Sequence, residues 1–177
     1  MEPPATLLRA RELLARHTER DLPDLASLSR RDPAGGRRDD SLYGVLLEAA
    51  FLVAAADGEL TREEVGELAD LIARMAGQSV SPGELSDSIA AYATQLEQVG
   101  RGAMIDALAA SCPDAAGRRQ VLHFAILVAL CDRELAPSEL FVLHSLGRAF
   151  GLATDQVNGA VRQLRDGLGL TPPTDAT

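Results

Sequence analysis

Six carboxylates in two matching sets are the side chains of this chain best placed to do chemistry. Asp57, Glu59 and Glu64 stand in FLVAAADGELTREE, from Phe51 to Glu64, and Asp132, Glu134 and Glu139 stand in ILVALCDRELAPSE, from Ile126 to Glu139. The offset between the two sets is 75 residues throughout. Asp57 and Asp132 each follow an apolar helical run, at the end where the helix dipole is negative and the last carbonyls lack intrahelical partners, a placement that costs roughly 0.3 to 1 kcal/mol if nothing offsets it. Carboxylates beside free carbonyls make an oxygen-rich setting of the kind calcium and magnesium prefer. A divalent cation held by these six residues, in separate loops or shared between the copies, is the first expectation.

The same spacing has a second use. Thr61 and Glu64 form the T-x-x-E pattern of a capping box, in which the hydroxyl and the carboxylate satisfy free N–H groups at the start of a helix. Asp57 and Asp132 fit a turn between two helices, and Glu59 and Glu134 fit solvated loop positions. An EF-hand is excluded. Asp57, Gly58, Leu60 and Glu64 match the later places of such a loop, but its first and third places fall on Val53 and Ala55, and the second copy has Arg133 in place of the turn glycine.

Other catalytic arrangements find no support. His123 lies nine residues before Asp132, roughly 13 Å along a helix and half a turn out of phase; His144 is off the face of Glu139, and His17 belongs to a separate N-terminal helix. The sequence has no glycine-rich phosphate loop, no GxSxG and no HExxH. Tyr43 and Tyr92 read as packing residues. A metal-dependent hydrolase with paired carboxylates would need an open coordination position and a substrate cleft, which makes it a remote alternative. The expectation is a protein that is not an enzyme.

The elements around the acids repeat as the acids do. Residues 1–40 read as a helical arm with Leu7, Leu8 and Leu14 on one stripe, then a charged linker, SRRDPAGGRRDD. Repeat one, 41–100, opens with a helix that is apolar on nearly all sides from Leu46 to Ala56, so it belongs at the centre of a core. A helix with Val65, Leu68, Leu71, Ile72 and Met75 on its face follows, then one with Leu85, Ile89, Tyr92 and Leu96, closed by Gly100 and Gly102. A connector, 101–117, holds a short helix from Met104 to Ala110. Repeat two, 118–170, opens at Arg118 and runs through VLHFAILVALC. Its second helix has Pro137 in the first position, Leu140, Leu143, Leu146 and Phe150 on the face, and Gly151 as the stop. Its third carries Val157, Val161, Leu164 and Leu168. Residues 171–177 form a tail. No stretch alternates with period two. The fold class expected is all-α, a single compact bundle of seven to nine helices built from two pseudo-twofold-related three-helix repeats.

Composition narrows the partners. The formal charge is −9, and residues 41–177 supply all of it, because residues 1–40 hold eight Arg and eight acids. An acidic body without a basic, aromatic-rich patch does not attract nucleic acid. Hydrophobic residues make up 46% while aromatics make up 3%, so the core is built from Ala, Leu, Val and Ile, which favours packed helices. Cys112 and Cys131 fit neither a disulfide framework nor a zinc pattern. The longest apolar run, Phe124 to Cys131, is far short of the roughly 20 residues of a membrane span. A cytoplasmic protein with protein partners and no direct membrane insertion is expected; the sequence leaves the oligomeric state open.

The DG-x-L-x-x-x-E signature at Asp57 to Glu64, following an Ala-rich apolar helix and returning in altered form at Asp132 to Glu139, resembles the tellurite-resistance TerB family, including the TerB-like domains joined to membrane-anchored DnaJ co-chaperones. The resemblance covers residues 41 to 168. It implies a helical domain that acts in stress-response or membrane-associated complexes. It also implies that the acidic motifs bind a divalent cation, through Asp57, Glu59 and Glu64 and, by motif position, Asp132, Glu134 and Glu139. Arg133 and Ala136 depart from the glycine and the capping hydroxyl usual there. The alternative is a metal-free interaction scaffold that uses the N-terminal arm or the helical surface.

Overall fold

Residues 42–56, 82–112, 114–130 and 135–170 are described in a computed structural model of the chain. Among the described residues the secondary structure is helical, with no strand. The five described helices are α1 (Leu42–Ala54), α2 (Pro82–Ser111), α3 (Ala115–Ala129), α4 (Pro137–Ala149) and α5 (Thr154–Gly167). The arm and linker, the helix with Val65 to Met75, the Thr61 and Glu64 capping pattern and the tail lie outside the described residues. So do parts of the count of seven to nine helices and of the repeat pairing.

An amphipathic helix hides one stripe, but α1 has almost no polar face to show to water. Every residue from Gly44 to Val53 is buried, Glu48 included. The helix therefore belongs inside, and α1 and α3 pack on each other more extensively than any other pair of described helices. α3 contributes Val121, Leu122, Phe124, Ala125, Ile126 and Leu127 to the same core. The last turn of α1 tightens through the Ala56 amide, which donates to the Val53 carbonyl at 2.9 Å.

The remaining helices pack around this pair with the faces their spacing predicts. On α4 Leu143 and Leu146, with Phe150 just past its end, are buried as the spacing predicts, Val142 and Gly147 are buried beside them, and Leu140 is only half-buried. On α5 Val157 and Val161 are buried, and Leu164 and Leu168 pack half-buried against the core. Ile89, Tyr92 and Leu96 do the same for the first part of α2. The Tyr92 ring lies 5.7 Å from that of Phe51, and its hydroxyl donates to the Gly44 carbonyl at 3.2 Å, tying α2 to α1 at two points.

Two expectations about the connector change. Gly100 has φ 78 and ψ 160, so α2 is two helical stretches meeting at a break, and the second stretch begins at once with Arg101 and continues through Gly102 to Ser111. Met104, Ile105, Leu108 and Ala109 of that stretch are buried, because their spacing makes an apolar stripe as good as that of the other helices. The connector is thus part of the core. Second, α3 starts at Ala115 rather than Arg118, since the Asp114 carboxylate accepts from the Gly117 amide at 2.7 Å and caps the helix three residues earlier.

The stop at Gly151 is as the sequence predicts. Gly151 has φ 80, its amide donates to the Arg148 carbonyl at 3.0 Å, and the Leu152 amide donates to the Gly147 carbonyl at 2.8 Å. These are the two bonds that satisfy the last carbonyls of a helix closed by a left-handed residue. The same pair of bonds, from Gly169 to Asp166 and from Leu170 to Arg165, closes α5.

Candidate functional site

Each acidic motif begins where a central helix ends. α1 gives way at Ala55 and Ala56 to the first, and α3 gives way at Leu130, whose amide donates to the Ile126 carbonyl at 3.0 Å, to the second. Of the six candidate ligands, Asp57, Glu59, Glu64, Asp132 and Glu134 lie outside the described residues. Glu139 lies within them.

Glu139 sits half-buried in the first turn of α4, and its Oε2 accepts from the Ala136 amide at 2.8 Å. That is the carboxylate half of a capping box. Ala136, the residue before the helix, has no side-chain oxygen to supply the other half. The start of α5 repeats the arrangement, with Gln156 Oε1 accepting from the Ala153 amide at 2.8 Å and alanine again in the capping position. As a donor set for a hard cation the second loop thus has one carboxylate already engaged by the chain. Among the described residues no three His, Cys, Asp or Glu side chains are grouped so as to hold a metal ion.

One residue that no sequence motif marks stands at the end of α1. Arg101 is the first residue after the break at Gly100, and its Nη2 donates to the Ala55 carbonyl at 2.9 Å. A permanent positive charge is therefore held at the carboxyl end of α1, two residues before Asp57. Nothing periodic marks such a contact, because 46 residues separate the partners. The local signal was an arginine directly after a helix-breaking glycine.

His144 and Tyr92 take structural places. His144 Nε2 lies 2.8 Å from Asn158 Oδ1, joining α4 to α5, and Tyr92 is held between Gly44 and Phe51. His123 is half-buried on α3. His17 and the Tyr43 side chain lie outside the described residues.

Comparison with protein families adds one match. The model of the family described as Tellurite resistance protein TerB matches residues 45–163, well over half of the 177 residues. The chain belongs to the TerB family. No curated protein and no solved structure matches it. The TerB match begins within α1 and ends within α5, so it takes in both central helices, both acidic motifs, Arg101 and Glu139. Among the described residues of this TerB chain no helix is long and apolar enough to cross a membrane.

Proposed function

We propose that this TerB chain is a non-enzymatic cytoplasmic module that binds a divalent cation, calcium or magnesium, through its acidic loops and acts in a stress-response or membrane-associated complex. Asp57, Glu59 and Glu64 are the ligands of the first loop; Asp132, Glu134 and Glu139 are those of the second. The observation that carries the reading is that the two helices leading into these loops, α1 and α3, are the most extensively packed pair among the described helices. Loops anchored on the core begin from fixed points, which favours a defined ligand geometry over a floppy one. The chain is read as two three-helix repeats about a pseudo-twofold axis, a reading supported by α1 packing on α2 as α3 packs on α5.

A metal-free interaction scaffold is the second reading. It draws support from Glu139, whose carboxylate has a capping role that needs no cation. Melting of chelator-stripped protein with calcium, magnesium, manganese and zinc added in turn separates the two. A cation at about 100 times its Kd adds about 2.7 kcal/mol, which for a chain of this size raises Tm by roughly 5 to 10 °C. The rise is expected to vanish in the Asp57→Asn, Asp132→Asn double variant. No rise up to millimolar concentrations of any of the four would leave the scaffold reading, with residues 1–40 as the first bait for a partner.

A further inference from the structure

Asn158 is the only asparagine in the sequence, and a glycine follows it. Both residues lie half-buried inside α5, with Asn158 Oδ1 2.8 Å from His144 Nε2 of α4. The pair has a chemistry of its own. With no side chain on Gly159 to hinder it, the Gly159 backbone nitrogen can attack the carboxamide carbon of Asn158. The fold does not call for a glycine at this place. Gly151 serves by its φ of 80 and Gly147 by the seat it leaves for Val157, but Gly159 is helical, and among the described residues a Cβ there would meet no atom within 4 Å. A helix interior disfavours glycine relative to alanine, so Gly159 eases the opening of α5 at the point where such an attack would occur.

We propose that Asn158 is a site of spontaneous deamidation, held latent by the contact between α4 and α5. In the folded chain the reaction is blocked twice. The helix engages the Gly159 amide with the Asp155 carbonyl, and the bond to His144 holds the Asn158 carboxamide. When this part of α5 opens, the Gly159 nitrogen gives up its proton and bonds to Asn158 Cγ. The Cγ–Nδ2 bond breaks, and ammonia leaves a cyclic succinimide. Water then opens the ring, with no change of oxidation state. Addition of water at Cγ gives an aspartate, whereas addition at the main-chain carbonyl carbon routes the backbone through the side chain as isoaspartate. The two products differ in effect. Aspartate sets a carboxylate where the amide met His144, so the link between α4 and α5 becomes one that charge can strengthen. Isoaspartate adds an extra carbon to the main chain and breaks the helical register of α5 beside the buried Val157.

Ageing of full-length protein in mildly alkaline buffer tests the site. After trypsin digestion the peptide Ala149–Arg162 carries the only asparagine. Mass spectrometry follows its gain in mass as the amide becomes an acid, and chromatography separates the aspartate and isoaspartate forms. Conversion is expected to be slow in the folded chain and fast in urea. His144→Ala should speed it about two- to tenfold in native buffer, the factor that one net hydrogen bond is worth. Gly159→Ala should suppress it even in urea and should melt no lower than the unmodified chain. Tyr92→Phe weakens the contact between α1 and α2 instead, and should leave the rate unchanged if the opening is local to α5. A His144→Ala rate equal to that of the unmodified chain, or a Tyr92→Phe rate raised by as much as the His144→Ala rate, would overturn the gate. Equal conversion with and without Gly159→Ala in urea would overturn the site itself.

Discussion

The Val157 side chain fills the place that a Cβ on Gly147 would need, so α4 and α5 meet with a side chain of one seated on the backbone of the other. Val157 is fully buried in that seat. The Gly147 carbonyl meanwhile accepts the Leu152 amide that closes α4, so the same residue serves the helix contact and the helix stop.

Gly147→Ala is expected to destabilise the fold. Overpacking costs about 1 to 3 kcal/mol, and the better helix propensity of alanine returns at most about 1 kcal/mol. Urea denaturation should show a net loss, and the Val157→Ala variant should show one of its own from the cavity. In the double variant the two losses should fall short of additivity, because each change relieves the other. Strict additivity would mean that the two residues do not meet in solution.

Glu139→Ala should cost about 0.5 to 2 kcal/mol even in chelator, as the loss of a helix cap does. Ala136→Ser supplies the missing hydroxyl and should gain about 0.5 to 1 kcal/mol by completing the capping box. Both are read from denaturation midpoints. If Glu139→Ala leaves the metal-free protein unchanged, the bond to the Ala136 amide contributes nothing to stability.

Gln120 is buried at 4% exposure, and neither its Oε1 nor its Nε2 has a hydrogen-bond partner. An orphaned buried amide costs about 1 to 3 kcal/mol for each unsatisfied atom. Gln120→Met, similar in volume and free of that cost, should leave stability unchanged or raise it, visible as an equal or higher Tm. A fall of several degrees would show that the amide is paired in solution.

Tyr92→Phe removes the bond to the Gly44 carbonyl and keeps the ring beside Phe51, for a loss of about 0.5 to 1.5 kcal/mol. Tyr92→Leu also gives up the ring pair and should lose about 0.5 to 1.5 kcal/mol more. Equal stability of the two variants would mean that the aromatic contact adds nothing beyond burial.

Local pattern carried much of the fold. The all-round apolarity of Leu46 to Ala56 placed α1 at the centre, the spacing of Val157, Val161, Leu164 and Leu168 marked the inner face of α5, and Gly151 and Pro137 marked where α4 stops and starts. The repeat was less faithful as a guide to contacts. Gly147 and Val157 fit together, whereas the residues at their positions in the first copy are Ile72 and Leu85. The start of α3 was missed because Asp114 is followed at the third helical position by Gly117 rather than Glu, so no full capping box announced it.

What the sequence by itself determined is what neighbours along the chain decide: helical periodicity, stops, the family signature and the spacing that puts Glu139 three residues after Ala136. Each of these is set within one or two turns of helix, where residue types act directly on the backbone. Only the tertiary structure decided that Arg101 reaches the end of α1, that the Gln120 amide is shut away from water, and that Gly147 must stay a glycine. Those depend on how whole helices are laid against one another, and no residue type announces where a distant helix will lie.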